Sequence, residues 1–169
     1  ILEGVTVKNV QPDGAGVTVE TDVGFFHARF VVGADGSNGI TRRCILPHEP
    51  VNTARVLELL TPPNANQLHA PNDAYFDFFP IPLGIAGYTW DFPTQLKGQP
   101  MRCWGIYDTN ILAGGERAPL RETLAAAMAR LGYVLGDYEL KGHPIRWFDP
   151  SGKLCVPRVL LAGDAAGAD

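Results

Sequence analysis

Two aspartates in this sequence share one setting, each just past a glycine at the end of an apolar run. The first lies in Phe30-Val-Val-Gly-Ala-Asp-Gly-Ser-Asn-Gly-Ile-Thr-Arg-Arg43, the second in Arg158-Val-Leu-Leu-Ala-Gly-Asp-Ala-Ala-Gly167. The carboxyl ends of strands are where open α/β sheets bind ligands. Glycine lets a ligand approach the backbone closely, because no Cβ stands in the way. The carboxylate can accept hydrogen bonds from ligand hydroxyls or orient neighbouring N–H groups. A single strand–Gly–Asp turn is ordinary loop chemistry. The pair, one towards each end of the chain, is more specific.

A third stretch, Gly87-Tyr-Thr-Trp-Asp-Phe-Pro93, alternates with period two and sets Tyr88, Trp90 and Phe92 on one face of a strand. Two readings stay open on the pattern alone: a core face, or a wall for an apolar ligand. His69, His143, Asp77 and Tyr88 are candidates for a proton donor, each with an equally direct structural role, so no catalytic residue is assigned. Cys44, Cys103 and Cys155 are far apart and odd in number, which gives neither a disulfide framework nor a metal pattern.

The elements that must position these residues follow from periodicity and turn chemistry. Residues 1–30 read as a three-stranded meander turned at 12–16 and 22–24, with Phe25 and Phe26 as core and cross-strand packing. A short helix is predicted over 41–45, and strands over 51–60, 75–79, 85–92 and 101–106, with 93–100 as a connection. Such a run of strands suits a hairpin-linked antiparallel sheet. Leu120, Leu124, Met128 and Leu131 recur at helical spacing and predict the one long helix, over 118–131. Residues 134–147 read as irregular, and 155–162 as a last strand running into Gly163. The fold class expected is α+β: a meander, an antiparallel sheet and one long helix. Domain limits are expected at 1–46, 47–150 and 151–169, the first and last belonging together.

Composition narrows the function. With 169 residues and 46% hydrophobic content the chain can build a real core. A net charge of −4 gives no footprint for nucleic acid, and no apolar run reaches the length of a membrane span. A cytoplasmic setting is expected, membrane-associated if the substrate is a lipid.

Val31-Val-Gly-Ala-Asp-Gly-Ser-Asn38 followed by Arg42 resembles the Asp-Gly fingerprint of FAD-dependent oxidoreductases of the glutathione-reductase-like, p-hydroxybenzoate hydroxylase-type superfamily. Val159-Leu-Leu-Ala-Gly-Asp-Ala-Ala-Gly167 resembles their Gly-Asp fingerprint. The resemblance implies that Asp164 reaches the ribityl chain of FAD, with Asp35 and Gly36 near the pyrophosphate and the nicotinamide approach. It makes this α+β arrangement part of an FAD/NAD(P)-binding fold, with the antiparallel sheet as its substrate domain, and places Asp35, Gly36, Arg42, Gly163, Asp164, Ala165, Ala166 and Gly167 among the cofactor-binding residues. Gly39 stands where a second serine is usual. No Gly-x-Gly-x-x-Gly occurs, so an internal fragment of a larger flavoenzyme is expected, holding FAD weakly or not at all by itself, with open strand edges that invite dimerisation.

Tyr88-Thr-Trp-Asp-Phe-Pro93 resembles, more narrowly, the Tyr-x-Trp-x-Phe-Pro signature of geranylgeranyl reductases, with Thr94 in place of the usual lysine. That resemblance implies reduction of isoprenoid double bonds. NADPH or ferredoxin would be the electron donor, Tyr88, Trp90 and Phe92 would line the slot for a small hydrophobic substrate, and a peripheral membrane contact is compatible with it. The alternatives are an FAD-dependent aromatic monooxygenase, whose Gly-Asp turn commonly carries histidine where this chain has Gly167, and a hydrophobic-ligand binding module without redox chemistry.

Overall fold

A computed structural model describes residues 1–49, 52–66, 69–111 and 118–168. The chain forms two compact units, Ile1–Thr53 with Pro144–Asp169, and Ala54–His143. Among the described residues no helix is long and apolar enough to cross a membrane.

The first unit opens with the meander: β1 (Val7–Pro12), β2 (Val17–Thr21) and β3 (Gly24–Ala28), paired antiparallel in that order. Asp13 closes the first turn, its Oδ1 accepting the N–H of Ala15 at 2.7 Å and of Gly16 at 2.6 Å. A second sheet joins β4 (Val31–Gly33) to β10 (Cys155–Val156) and β11 (Val159–Leu161) in the order β10-β11-β4. The strand expected over 155–162 is therefore a tight hairpin, broken at Pro157-Arg158, where Arg158 takes a φ of +70°. The helix α1 (Ile40–Ile45) lays Cys44 and Ile45 on the core of Val10, Val17 and Val159.

Phe25 and Phe26 correct an expectation: they are 67% and 41% exposed. Strand β3 is the outer strand of its sheet, and the core layer of α1 and β11 covers β1 and β2, leaving β3 bare.

The second unit is a five-stranded sheet with one helix. Its strands are β5 (Thr53–Thr61), β6 (Tyr75–Asp77), β7 (Gly87–Leu96), β8 (Gln99–Asp108) and β9 (Lys141–Arg146), in the order β6-β7-β8-β5-β9. Val51, the expected start of β5, lies outside the described residues. Helix α2 (Leu120–Ala129) buries Leu120, Leu124 and Met128 against Leu59, Ile85, Trp104 and Ile106.

Three expectations change here. Residues 93–100 are not a connection: β7 and β8 run on to a two-residue turn, Lys97-Gly98, with φ of +51° and +78°, the geometry favoured in tight hairpins. Pro93 and Pro100 are tolerated because β6 ends opposite Asp91 and β5 opposite Arg102, so both prolines lie where the hairpin has free edges. The aromatic strand stops at Asp77, whose Oδ1 accepts the Phe79 N–H at 2.8 Å and turns the chain. Residues 134–147 are not irregular throughout, since β9 carries Gly142 and Pro144 on the outer edge of the sheet. A Cβ at Gly142 would come within 3.1 Å of Leu57 Cδ2.

Period two sends Thr89 and Asp91 of β7 to the helix-covered face, together with Arg102, Trp104, Ile106 and Asp108 of β8. Three charges in such a layer, Asp91, Arg102 and Asp108, demand partners. Arg102, 1% exposed, donates from Nε to Asp91 Oδ1 at 2.7 Å and from Nη2 to the Asp91 carbonyl at 3.0 Å and the Asp73 carbonyl at 2.9 Å. Its Nη1 donates to the Pro71 carbonyl at 2.7 Å. One side chain thus ties the hairpin to the 70–73 loop. Asp108, also buried, binds Arg55 Nη2 at 2.5 Å and accepts the N–H groups of Ala86 and Asn110. Burial pushes its carboxyl up, but Arg55 and those two N–H groups outweigh this and hold it below the usual carboxylate value.

Two outcomes follow. Arg102→Met should destabilise the chain by about 3–5 kcal/mol, because it leaves Asp91 buried and unpaired, and Arg102→Met with Asp91→Leu should recover much of that in urea unfolding. Because the Asp108 pKa is lowered on folding, its contribution is present above the unfolded carboxylate value and is lost as pH falls through the folded one. Asp108→Asn should therefore flatten the acid side of a stability-against-pH curve while leaving its neutral-to-basic shape alone.

Candidate functional site

Strands β4 and β11 are parallel neighbours, with Val31 opposite Val159 and Gly33 opposite Leu161. Their carboxyl ends therefore lie side by side, which brings together two turns that are far apart in sequence. The Ala162 N–H donates to the Gly33 carbonyl at 2.9 Å and locks the two exits. Gly163 and Gly36 have φ of +56° and +77°, with nothing within 4 Å of where a Cβ would stand. Both turns present open backbone to a ligand.

The two aspartates then part company. Asp164 is the middle residue of a single 3-10 turn (Gly163–Ala165), and its half-buried carboxylate makes no side-chain hydrogen bond or ion pair among the described residues. The first N–H groups of such a turn have no internal acceptor. The carboxylate and these donors are free for a polyhydroxylated ligand. Asp35 is engaged instead: its Oδ2 accepts the Thr41 N–H at 2.8 Å, capping α1 from outside the helix. The N-cap residue itself is Gly39, which has no side chain to offer. A Cβ at Gly39 would stand 2.3 Å from Asp35 Oδ1 and 2.4 Å from its Cγ. Glycine at 39 is thus what lets Asp35 fold back onto the helix. Gly33 gives similar room, since a Cβ there would meet Thr41 Cγ2 at 2.5 Å.

Arg42 points beneath the Gly-Asp turn. It is 7% exposed, pairs with Glu49 at 3.1 Å, and directs Nη1 to the carbonyls of Ala165 at 3.4 Å and Lys153 at 3.5 Å. Ala165 and Ala166 are buried against Leu161, so only their backbone can meet a ligand. Gly167 is small for a packing reason: a Cβ there would stand 3.1 Å from the Trp147 carbonyl. Ser37, Glu49 and Arg146 were not singled out in the sequence. Ser37 Oγ accepts the Arg146 N–H at 3.1 Å, and the Ser37 carbonyl accepts Arg146 Nε at 2.5 Å. Such links span over a hundred residues and leave no local pattern.

In the second unit Tyr88, Trp90 and Phe92 lie on the face opposite the α2-covered core and are half-buried. Phe76 meets the rings of Tyr88 and Phe92 edge-on, with centroids at 5.3 and 4.8 Å. Tyr107 and Phe78 extend the row at 5.5 and 5.7 Å from Tyr88. The indole of Trp90 lies across Gly105, where a Cβ would come within 2.0 Å of the ring. Beside it, burial pushes the Cys103 thiol up despite a hydrogen bond from Trp90.

Two of the four candidate proton donors come together: His69, stacked on Tyr75 at 4.0 Å, and Asp77 line one cavity of about 120 Å³ with Asp91 and Arg130. His143 is exposed on β9, and Tyr88 lies in the aromatic row. Among the described residues no cluster of His, Cys, Asp and Glu could hold a metal ion.

No protein-family model matches the chain. An uncharacterised protein of Methanosarcina barkeri is 30% identical over 166 residues, covering 98% of this chain and 40% of that protein. Among solved structures, a geranylgeranyl bacteriochlorophyll reductase-like protein of Thermoplasma acidophilum is similar with a TM-score of 0.64 at 20% identity, over 97% of this chain and 42% of its own. The 2,6-dihydroxypyridine-3-hydroxylase of Arthrobacter nicotinovorans gives 0.55 at 16%, over 95% and 48%, and a salicylate hydroxylase 0.54 at 18%, over 96% and 45%. The likeness shows the fold. This chain has the fold of part of these enzymes and spans less than half the length of each.

The capping arrangement is testable. Asp35→Ala should cost about 1 kcal/mol, the usual worth of a helix cap. Gly39→Ser introduced into that variant should restore most of it, because the serine hydroxyl then occupies the N-cap position. Thermal unfolding of the single and double variants measures both.

Proposed function

We propose that the chain is part of an FAD-dependent oxidoreductase that reduces isoprenoid, geranylgeranyl-type double bonds. The observation that carries this reading is the aromatic face of Phe76, Tyr88, Trp90, Phe92 and Tyr107, set on the side of the sheet away from the core. Rings at that position are spared from holding the fold together. They offer an apolar surface suited to a ligand recognised by area and shape.

The Gly-Asp turn fits the cofactor. Asp164 has an uncommitted carboxylate beside open backbone at Gly163, which suits hydrogen bonds from the hydroxyls of a ribityl chain. Arg42 and Asp35 would serve by holding the two turns, one through the Ala165 carbonyl and the other through α1. Bound FAD would supply hydride transfer to the substrate double bond. The chain's own part is to bind the apolar substrate, keep water from it and fix its orientation. NADPH or ferredoxin would reduce the cofactor.

A second reading, hydroxylation of an aromatic substrate, is supported by the hydroxylases that share the fold. A ligand-binding module without redox chemistry stands as a third. The full-length gene product separates them. Under anaerobic conditions with a reductant, our reading expects a geranylgeranyl substrate to gain two hydrogens per double bond. NADPH oxidation in air that adds one oxygen atom to an aromatic compound would establish the second reading instead, and a protein that takes up no flavin would leave the third. Trp90→Ala should raise KM for the isoprenoid roughly tenfold, the factor given by about 1.4 kcal/mol of lost apolar contact.

A further inference from the structure

Gly105 stands in the middle of the candidate substrate face and adds no side chain to it. Its strand, β8, is the central one of five, and it pairs with Trp90 of β7 on one side and Glu58 of β5 on the other. Its chain neighbours Trp104 and Ile106 are buried in the α2-covered core, which anchors the strand from the opposite face. A glycine inside a strand weakens it, and a common reason for one is a group that approaches the backbone closely. Here that group is the Trp90 indole. A Cβ at 105 would stand 2.0 Å from its Cζ2, 2.2 Å from Cη2 and 2.4 Å from Cε2. The six-membered half of the indole fills the place of the missing side chain, and Gly105 is buried beneath it.

The strand is held on both edges and from below, so a side chain at 105 has to move the ring. An ordinary carbon–carbon contact is roughly 3.5 Å, so the nearest ring atom would retreat by about 1.5 Å. Movement along β7 meets other rings. Tyr88 stands edge-on to the indole with centroids 6.1 Å apart, and Phe92 stacks on it at 6.0 Å. The direction left is outwards, into the space above the aromatic face. Such a lift takes up room of the kind a methyl branch needs.

We propose that Gly105 is a specificity-determining residue: by lacking a side chain it lays Trp90 flat across β8 and leaves room above the ring for the methyl branches of an isoprenoid chain. The inference rests on the reading of this face as the wall of an isoprenoid site. Gly105 acts through the ring, as a positioning residue, and Trp90 makes the contact.

The full-length gene product labelled with 5-fluorotryptophan gives one fluorine resonance for each tryptophan, and Trp90→Leu identifies that of Trp90 by its loss. Gly105→Ala should shift this resonance. It should also raise Kd for geranylgeraniol, measured by equilibrium dialysis, about tenfold, the low end of what one methylene changes in an apolar pocket. An unbranched alcohol of equal main-chain length should be affected far less. In a Trp90→Leu background, Gly105→Ala should change Kd for geranylgeraniol by no more than about twofold, because the shorter side chain no longer couples to residue 105. A Trp90 resonance that stays in place, or equal losses for the branched and unbranched alcohols, would overturn the proposal. If Gly105→Ala does not fold, recovery of folding in the double variant supports the contact, and failure of the double variant overturns it. A full-length protein that neither binds nor reduces a geranylgeranyl compound sinks the reading of the face, whereas the fluorine shift decides separately whether residue 105 positions the ring.

Discussion

The register of the β7–β8 hairpin is held by the buried pair of Arg102 and Asp91, and the candidate substrate face depends on that register. Side chains alternate strictly along a strand, so a slip of one residue would exchange the two faces. Thr89 and Asp91 would then leave the α2-covered layer, and Tyr88, Trp90 and Phe92 would enter it. A slip would also take Asp91 away from Arg102 and leave two charges buried apart, a cost of several kcal/mol. Arg102 further grips the carbonyls of Pro71 and Asp73. The same side chain that fixes the sheet therefore fixes the loop next to His69.

In the first unit the corresponding constraint is the parallel pairing of β4 with β11. It makes the carboxyl ends of two strands neighbours and brings together two glycine turns from opposite ends of the sequence. Their aspartates look alike in sequence and do different work. Asp35 is bound to the N–H of Thr41 and supports α1, whereas the carboxylate of Asp164 is uncommitted. Arg42 lies between these roles, a cation beneath the turn whose hydrogen bond to the Ala165 carbonyl reaches backbone and not solvent.

Much of this was legible in the residues, where local rules govern. The Gly-Ala-Asp-Gly and Ala-Gly-Asp turns, the helical spacing of Leu120, Leu124 and Met128, and the alternation of Tyr88, Trp90 and Phe92 each report a neighbourhood of a few residues. The failures came where distant partners decide. Pro93 and Pro100 read as a connection because nothing local reveals that β5 and β6 stop short and leave free edges there. Gly142 and Pro144 hid β9 for the same reason. Phe25 and Phe26 suit a strand, but only the placement of α1 over β1 and β2 shows that no core covers them. The departure at Gly39 takes its meaning from the Asp35 carboxylate, which occupies the space a side chain would fill.

The division of labour between the two aspartates is the claim most open to a direct test. The visible spectrum of the purified full-length gene product, beside its Asp35→Ala and Asp164→Ala variants, measures flavin content for each. Our account predicts flavin absorbance in the parent, nearly full flavin content in Asp35→Ala with a lowered melting temperature, and loss of flavin in Asp164→Ala with its melting temperature little changed. Flavin retained in Asp164→Ala, or lost from Asp35→Ala while the fold stays stable, would contradict it.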